Sequence, residues 1–544
     1  MKILIVIPAR GGSKRIPRKN VRMMNGKPLI LYSIDNALRV VDKYDADICV
    51  STDDEELGGI AESRNIEIIW RDQSLAADNI TLDPVIYDAV KKMENRRSEN
   101  YDIVITMQAT SPTLRSQTLI NALEAFIDSD YDTMISCVNR PHLSWRKENG
   151  RIVKNYEKRL NSQELPHNFL ETGAFLITRR GWVREDSRIG ENITVYETAQ
   201  REAIDIDSEE DWISAESILR RKRIVLRCVG RQELGMGHIY RCLSVANKLI
   251  GHDVLFVTDS KSNIGIAKLE EAYFPYKTIE NDEDYEKILK NYMPDVVVND
   301  ILDTEESLIK LERKYTRRIV NFEDMGPGAY FADAVINALY ENRPEKPYNV
   351  YEGSDYYFIR DEFLIESPKE FSSECRNIMI MFGGADPANL TGKLYEICQV
   401  LHGKMPQVEF HFLTGFAYAH KDEIKPIPEL NIFVHHDAKR VSSYMKQADM
   451  CITSQGRTIF ELASMGVPAI VLAQNEREAE HVFAGMNNGF INLGIGEKVD
   501  TITIIKTIMW LADMPHVRAE MRDLQLSKKF EKGQERVIRL LLND

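Results

Sequence analysis

Residues 1–20 read MKILIVIPARGGSKRIPRKN, and this stretch decides the fold of the first half of the chain. Lys2–Ile7 is a short apolar run that ends in charge. It is too short for a signal peptide and predicts a first buried strand. Arg10, Gly11, Gly12, Ser13 and Lys14 follow the strand directly. Glycines let backbone N–H groups come close to an anion. Arg10, Lys14, Arg15, Arg18 and Lys19 place five positive charges within ten residues. A triphosphate carries about four negative charges near neutral pH, and such a loop offsets them. The GxxxxGK[ST] pattern of a P-loop is absent. The competing reading is a basic surface turn.

Working outward, apolar runs alternate with helical patterns. Strands are expected at Asp47–Ser51, Ile66–Trp70, Asp102–Met107, Met134–Val138 and Ala174–Ile177, with a helix over Pro28–Val41. This alternation predicts an α/β fold with a mainly parallel, doubly wound sheet, Rossmann-like, whose ligands bind beyond the carboxyl ends of the strands. A helical stretch, Glu209–Leu219, runs into the basic cluster Arg220-Arg221-Lys222-Arg223, and a new strand begins at Ile224. The cluster marks a domain boundary. A glycine turn and a helix over Tyr240–Ile250 follow, with strands at Val254–Val257, Val296–Val298 and Ile319–Asn321. Asn377–Phe382 restarts a strand–glycine unit, and Glu409–Leu413, Cys451–Thr453 and Ala469–Leu472 continue it. The expected domains are 1–222, 223–366 and 367–544, the last two forming a two-lobed α/β region.

Composition narrows the function classes. The chain has 544 residues, 43% hydrophobic and 28% charged, with a net charge of −14. An acidic surface argues against broad binding to nucleic acid or to an anionic membrane. No apolar run is long enough to span a bilayer. The seven cysteines are scattered, form no CxxC pair and read as thiols of a reducing compartment, so a cytoplasmic protein is expected.

Two further segments of the first half carry chemistry. Asp205-Ile206-Asp207 lies in EAIDIDSEEDW. Extended backbone puts both carboxylates on one face, and two hard oxygen ligands with positions left for water and phosphate suit Mg²⁺. A solvated pair, or a cap for the helix that follows, is the alternative. MQATSPTLRS, residues 107–116, follows a strand. Gln108, Thr110 and Ser111 have groups for a base or ribose, and Arg115 for phosphate or carboxylate; a plain polar loop is the other reading.

Residues 1 to about 220 resemble the acylneuraminate cytidylyltransferase family, the CMP-sialic acid synthetases. The matching stretches are ARGGSKRIPRKN, NGKPLILYSI, VSTDD, WRDQSLAAD, QATSP and IDID, in one order across the segment. The resemblance implies that Arg10, Gly12, Ser13, Lys14, Lys19 and Asn20 hold nucleotide and phosphates. It implies that Arg71, Gln108, Thr110 and Ser111 surround the cytosine and ribose, and that Asp205 and Asp207 hold Mg²⁺. The implied reaction joins CMP from CTP to a nonulosonic acid, with release of pyrophosphate. The implied assembly is a homodimer through this domain. Asp72, where the family often has Pro, and Thr172, where it often has Asn, depart from the pattern on the sugar side, as does the region before Leu165-Pro166.

The second half carries LGMGHIYR, residues 234–241, which sets His238 directly after Gly235 and Gly237 at a helix start. It also carries FGGADPANLT, residues 382–391, SQGRTIFELASMG, residues 454–466, and NEREAEH, residues 475–481. These segments make residues 224–544 similar to the PseG/SpsG family, UDP-sugar hydrolases with a two-lobed GT-B-like fold. The resemblance implies that UDP lies on Gly456, Arg457, Thr458 and Glu461. It implies that His238 assists water without a metal. Gly237, Arg241, Gly384, Glu478 and His481 are further candidates for the same cleft. Val229 departs from the family, which often has Asp there. The expected function is therefore bifunctional: CMP-nonulosonate synthesis and UDP-sugar hydrolysis. The alternatives are a cytidylyltransferase whose second half only binds a nucleotide sugar, or one whose second half is a glycosyltransferase.

Overall fold

The computed structural model describes residues 1–77, 79–231, 235–341, 347 and 349–543. Asp78 of the WRDQSLAAD stretch and Leu234 of LGMGHIYR lie outside the described residues. The chain forms two compact units, Met1–Arg221 and Lys222–Asp544, so the division falls within the expected basic cluster.

In the first unit all six residues of Ile3–Pro8 are buried. Successive side chains of a strand face opposite ways, so both faces of this strand need cover. Ile3, Ile5 and Ile7 join a core with Ile30, Ile34, Ala37 and Phe126. Leu4 and Val6 pack against Ile86, Ala89, Val90 and Met93. The helices Ile30–Val41 and Ser116–Ile127 therefore cover one face, and Leu82–Arg97 the other.

Across this sheet the strands run in the order Ile193–Glu197, Thr133–Asn139, Phe169–Arg179, Ile103–Met107, Ile3–Pro8, Ala46–Thr52 and Glu67–Trp70. Phe169–Arg179 pairs antiparallel with both of its neighbours, so the sheet is mixed. The reason is local. The stretch between Asn139 and Phe169 holds an antiparallel hairpin, Trp145–Glu148 with Arg151–Lys154, and no α-helix to return the chain for a parallel strand. The expected helix over Pro28–Val41 begins later, at Ile30, because Lys27–Pro28 pairs with Met23–Met24.

The second unit has two parallel sheets, each with helices packed on it. The first runs Tyr276–Ile279, Asp253–Asp259, Arg223–Cys228, Val296–Asp300, Arg318–Phe322, Ala334–Asn337 and Val350–Glu352. The second runs Ile432–His436, Glu409–Thr414, Asn377–Met381, Met450–Thr453, Ala469–Ala473 and Phe490–Ile495. Two such parallel-sheet lobes in succession make the GT-B-like arrangement. The last helix, Glu531–Leu542, turns back to the first lobe. Its Val537 and Leu541 share a core with Ile224, Leu226 and Ile239. Arg318 of the first lobe donates to the Leu540 carbonyl at 3.0 Å. The helix over Gly237–Lys248 starts three residues before the expected Tyr240.

Gly533 sits in the first turn of the final helix, where an added Cβ would lie 2.2 Å from the Tyr357 carbonyl oxygen. Backbone cannot yield as a flexible side chain does. Gly533→Ala is therefore expected to destabilise the second unit by about 2–3 kcal/mol. A lowered thermal midpoint checks this; a midpoint equal to that of the unaltered chain would show that the helix re-seats freely.

Candidate functional site

The glycine loop leaves the sheet at the carboxyl end of Ile3–Pro8 and turns against the loop that follows Ala46–Thr52. The Gly11 amide donates to Asp53 Oδ1 at 3.0 Å. A Cβ on Gly11 would lie 2.4 Å from Asp54 Oδ2, so glycine is what lets the loop lie this close. At Gly12 the same added atom meets nothing within 4 Å. Asn20, buried, donates to the Arg10 carbonyl at 3.1 Å and ties the far end of the loop to its start. Asn20 Oδ1 is buried and makes no hydrogen bond among the described residues.

The acidic segment reaches this loop from about two hundred residues away. The Ile206 amide donates to the Thr110 carbonyl at 2.9 Å, which pins the Asp205–Asp207 stretch to the QATSP loop. Asp207 pairs with Arg15 at 2.9 Å and with Lys19 at 3.6 Å. Lys19 also donates to the Ile206 carbonyl, and its side chain is only 12% exposed. Burial pushes the Asp205 carboxyl above its ordinary range; the charge of Asp207 adds to this, while Thr110 and Lys19 oppose it. Asp211 is occupied otherwise. It completes a capping box with Ser208 at the start of helix Glu209–Leu219.

Other expected residues gather around the same strand ends. Gly173 has φ of +67°, and a Cβ there would stand 2.9 Å from Gln108 Nε2 and 3.3 Å from Asp205 Oδ2. Glycine at this position lets an amide and a carboxylate share one small space. The Gln108 carbonyl accepts from Ser33 at 3.0 Å. Arg71 donates to Ser51 Oγ at 3.0 Å and to the Ser51 carbonyl at 2.8 Å. Burial lowers its guanidinium to about 10; Asp53 works against that and Arg10 with it. Ser111 is buried and donates to the Thr172 carbonyl at 3.4 Å. Arg115 meets a carboxylate, one of the two partners expected of it. It pairs with buried Glu202 at 3.7 Å and lines a cleft of about 320 Å³ together with Lys27, Tyr32, Thr113 and Arg201.

In the second unit His238 and Arg241 lie on one helix and meet the same carboxylate. His238 Nδ1 is 2.6 Å from Asp300 Oδ1. Arg241 donates through Nε to Asp300 Oδ2 at 2.6 Å, and through its other nitrogens to Asp300 Oδ1 and to Glu323, the latter at 3.0 Å. Burial works to raise the Asp300 carboxyl. Arg241 and His238 outweigh it and hold Asp300 well below the usual carboxylate range. Burial raises Glu323, and Arg241 and Arg457 oppose that rise.

The two lobes of this unit meet beside His238. A Cβ on Gly237 would be 3.6 Å from Arg457 Cδ, and one on Gly384 would be 3.6 Å from Met236 Cβ. Gly456 stands over Glu478, whose Oε1 would be 3.3 Å from an added Cβ. Burial pushes Glu478 up to about 7. Thr458 opens the helix Thr458–Met465, in which Glu461 accepts from Arg360 at 2.7 Å. His481 is turned inward. Its Nδ1 is 2.8 Å from the Gln455 carbonyl, its ring stands edge-on to Tyr340 at 5.2 Å, and burial lowers it to about 4.

Sequence reasoning missed Asp300, Glu323, Arg360 and Ser51. Asp300 was within reach, because it ends the apolar run Val296–Val298 at the carboxyl end of a parallel strand. Arg360 gave no signal, since its partner is 101 residues away in sequence.

Comparison with known proteins fits this geometry. A family model described as cytidylyltransferase matches residues 4–169. The pseudaminic acid cytidylyltransferase of Campylobacter jejuni subsp. jejuni is 33% identical over 223 residues, covering 39% of this chain and 93% of that protein. The chain belongs to the cytidylyltransferase family. The chain is also 28% identical over 296 residues to the spore coat polysaccharide biosynthesis protein SpsG of Bacillus subtilis, covering 51% of this chain and 85% of that protein. A match of that length cannot be contained in residues 1–221 and so enters the second unit. An uncharacterized protein of Methanocaldococcus jannaschii is 33% identical over 281 residues. The chain spans 57% of the length of that relative, and the match covers 47% of this chain. No described helix of the chain is long and apolar enough to cross a membrane.

Gly173→Ala is expected to push Gln108 away from Asp205 and to strain a left-handed backbone position. Turnover of CTP should fall by about 10-fold or more, since a misplacement near 1 Å can cost up to about 100-fold. Steady-state kinetics on a variant of matched thermal midpoint check this; wild-type turnover would mean that the Gln108–Asp205 spacing is immaterial.

Proposed function

We propose that the first unit transfers CMP from CTP to a nonulosonic acid and releases pyrophosphate. The observation that carries this reading is the meeting of Arg15 and Lys19 with Asp207. A cationic loop and an acidic pair border one space at the carboxyl ends of the parallel strands. That charge arrangement suits a nucleoside triphosphate bound with a divalent cation.

The donor set suits such a cation. Asp205 and Asp207 offer only oxygen, and burial together with mutual repulsion raises Asp205. Both would be relieved by a cation bound there. No group of three or more His, Cys, Asp or Glu among the described residues is arranged to hold a metal. Two carboxylates with the remaining positions left to water and phosphate fit Mg²⁺, which keeps much of its water shell. Bound there, Mg²⁺ would supply neutralisation of charge on the phosphate oxygens.

The protein's own part is binding and orientation. Arg10, Gly12, Ser13, Lys14, Lys19 and Asn20 hold the phosphates, and Arg71, Gln108, Thr110 and Ser111 bound the base and ribose. The sugar's anomeric hydroxyl forms a bond to the α-phosphorus as the bond to pyrophosphate breaks, and its proton passes to water. Positioning and charge offset carry the rate, as is usual for phosphoryl chemistry. A homodimer through this unit is part of the reading. Phe169, Leu170, Ile193 and Val195 are exposed apolar residues that support it.

For the second unit the reading is UDP-sugar hydrolysis. It is supported by the approach of Arg457 to Gly237, one residue from His238. UDP would lie on Gly456, Arg457 and Thr458. Glu461 would offer a ribose hydroxyl the oxygen that Arg360 leaves. Glu478 would close the same site.

Asp207→Ala is expected to lower pyrophosphate release from CTP by about 100-fold or more, the loss of an aimed charge-stabilising group. UDP binding by the same variant should be unchanged; equal loss of both would contradict separate sites. His238→Ala is expected to stop UDP release from UDP-linked acetamido sugars while leaving pyrophosphate release intact. Continued UDP release would remove His238 from the mechanism.

A further inference from the structure

Asp300 is met by three side chains, His238, Arg241 and Cys242. Its Oδ1 meets His238 Nδ1 at 2.6 Å and also accepts from Arg241. Its Oδ2 accepts from Arg241 Nε at 2.6 Å and lies 3.6 Å from Cys242 Sγ. The carboxylate is fully buried, and Arg241, itself buried, is shared with Glu323. A fork of guanidinium nitrogens across both oxygens fits an ionised carboxylate and no other form.

An ionised carboxylate has no proton to donate, so at 2.6 Å the imidazole must be the donor. The proton of a neutral His238 is then on Nδ1, and Nε2 carries the free lone pair. Among the described residues Nε2 has no hydrogen-bond partner of its own, and the side chain keeps 11% of its surface exposed. The fold fixes the pair from two elements. Asp300 ends the strand Val296–Asp300, which pairs Cys228 with Asp300, and His238 opens the helix Gly237–Lys248. The adjoining strand-end position, Val229, carries no carboxylate.

We infer that Asp300 is a positioning residue which locks His238 with its proton on Nδ1 and leaves Nε2 as the base for an attacking water. This rests on the reading of the second unit as a UDP-sugar hydrolase. In that reaction the water oxygen bonds to the anomeric carbon and one water proton goes to His238 Nε2. The bond from that carbon to the β-phosphate oxygen breaks, and UDP leaves with the electron pair. Arg241 keeps Asp300 charged and oriented, so the carboxylate does not itself take the proton.

The test reads the tautomer and the rate separately. The full chain, labelled with nitrogen-15 in its histidines, is examined by NMR at neutral pH, with His238→Gln used to assign the signal. A protonated Nδ1 with a bare Nε2 supports the inference. A proton on Nε2, in a neutral or a cationic ring, overturns it whatever the activity. Asp300→Asn is then assayed for UDP release from UDP-linked acetamido sugars. We expect kcat to fall by about 100- to 10,000-fold, the scale at which a wrong tautomer acts, with KM nearly unchanged. A variant of normal kcat overturns the positioning role. If the unaltered chain releases no UDP while His238 shows the bare Nε2, the hydrolase reading and the base role fail together, and only the lock of Asp300 on the His238 tautomer stands. Asp300→Glu, which keeps the charge, should recover part of the rate and guards against a merely misfolded Asn variant.

Discussion

Lys19 is the hinge of the first unit's chemistry. Its nearly buried ammonium faces both the Asp207 carboxylate and the carbonyl of Ile206. An ammonium so placed needs partners, and the acidic segment provides them from far along the chain. The pairing draws the segment after Glu202 onto the loop after the first strand. Without it the two would be unrelated surface pieces, one basic and one acidic. With it they frame a space whose charges suit a metal-bound triphosphate. The contact of Ile206 with Thr110 adds the third wall.

The second unit solves a similar problem with the signs arranged otherwise. Arg241 is buried, and two acids, Asp300 and Glu323, surround it. Desolvation would favour neutral groups here, yet the fork of hydrogen bonds keeps Asp300 ionised. Such a network costs stability to bury and is sensitive to any partner's removal. Its position beside the junction of two lobes, and next to His238, gives that cost a use. Both units thus place their charged groups at the carboxyl ends of parallel strands, where the backbone opens and loops diverge.

Much of this was legible in the sequence, for identifiable reasons. Lys2–Ile7 announced itself because a strand covered on both faces must be apolar throughout. The glycine loop was legible because paired glycines and five basic residues follow a buried strand, and in the fold Gly11 has no room for a Cβ against Asp54. The break near Arg221 followed from strand patterning that began again at Ile224. The antiparallel return of Phe169–Arg179 was not visible, because strand direction depends on what the connection contains rather than on the strand itself. The roles of Asp300 and Arg360 were hidden for a different cause. Each is defined by a partner 62 or 101 residues distant, and local pattern carries no record of such pairs. Arg115 was legible only as a partner for phosphate or carboxylate, and packing is what pairs it with the Glu202 carboxylate.

The chemistry of the first unit is open to direct measurement. Phosphorus-31 NMR of the full chain with CTP, Mg²⁺ and a panel of pseudaminic, legionaminic and neuraminic acids follows both products at once. The account predicts that at least one of these acids yields a CMP diester and pyrophosphate in equal amounts, and that neither forms when the acid is left out. Pyrophosphate release at the same rate without any nonulosonic acid, or intact CTP with every one of them, would contradict it.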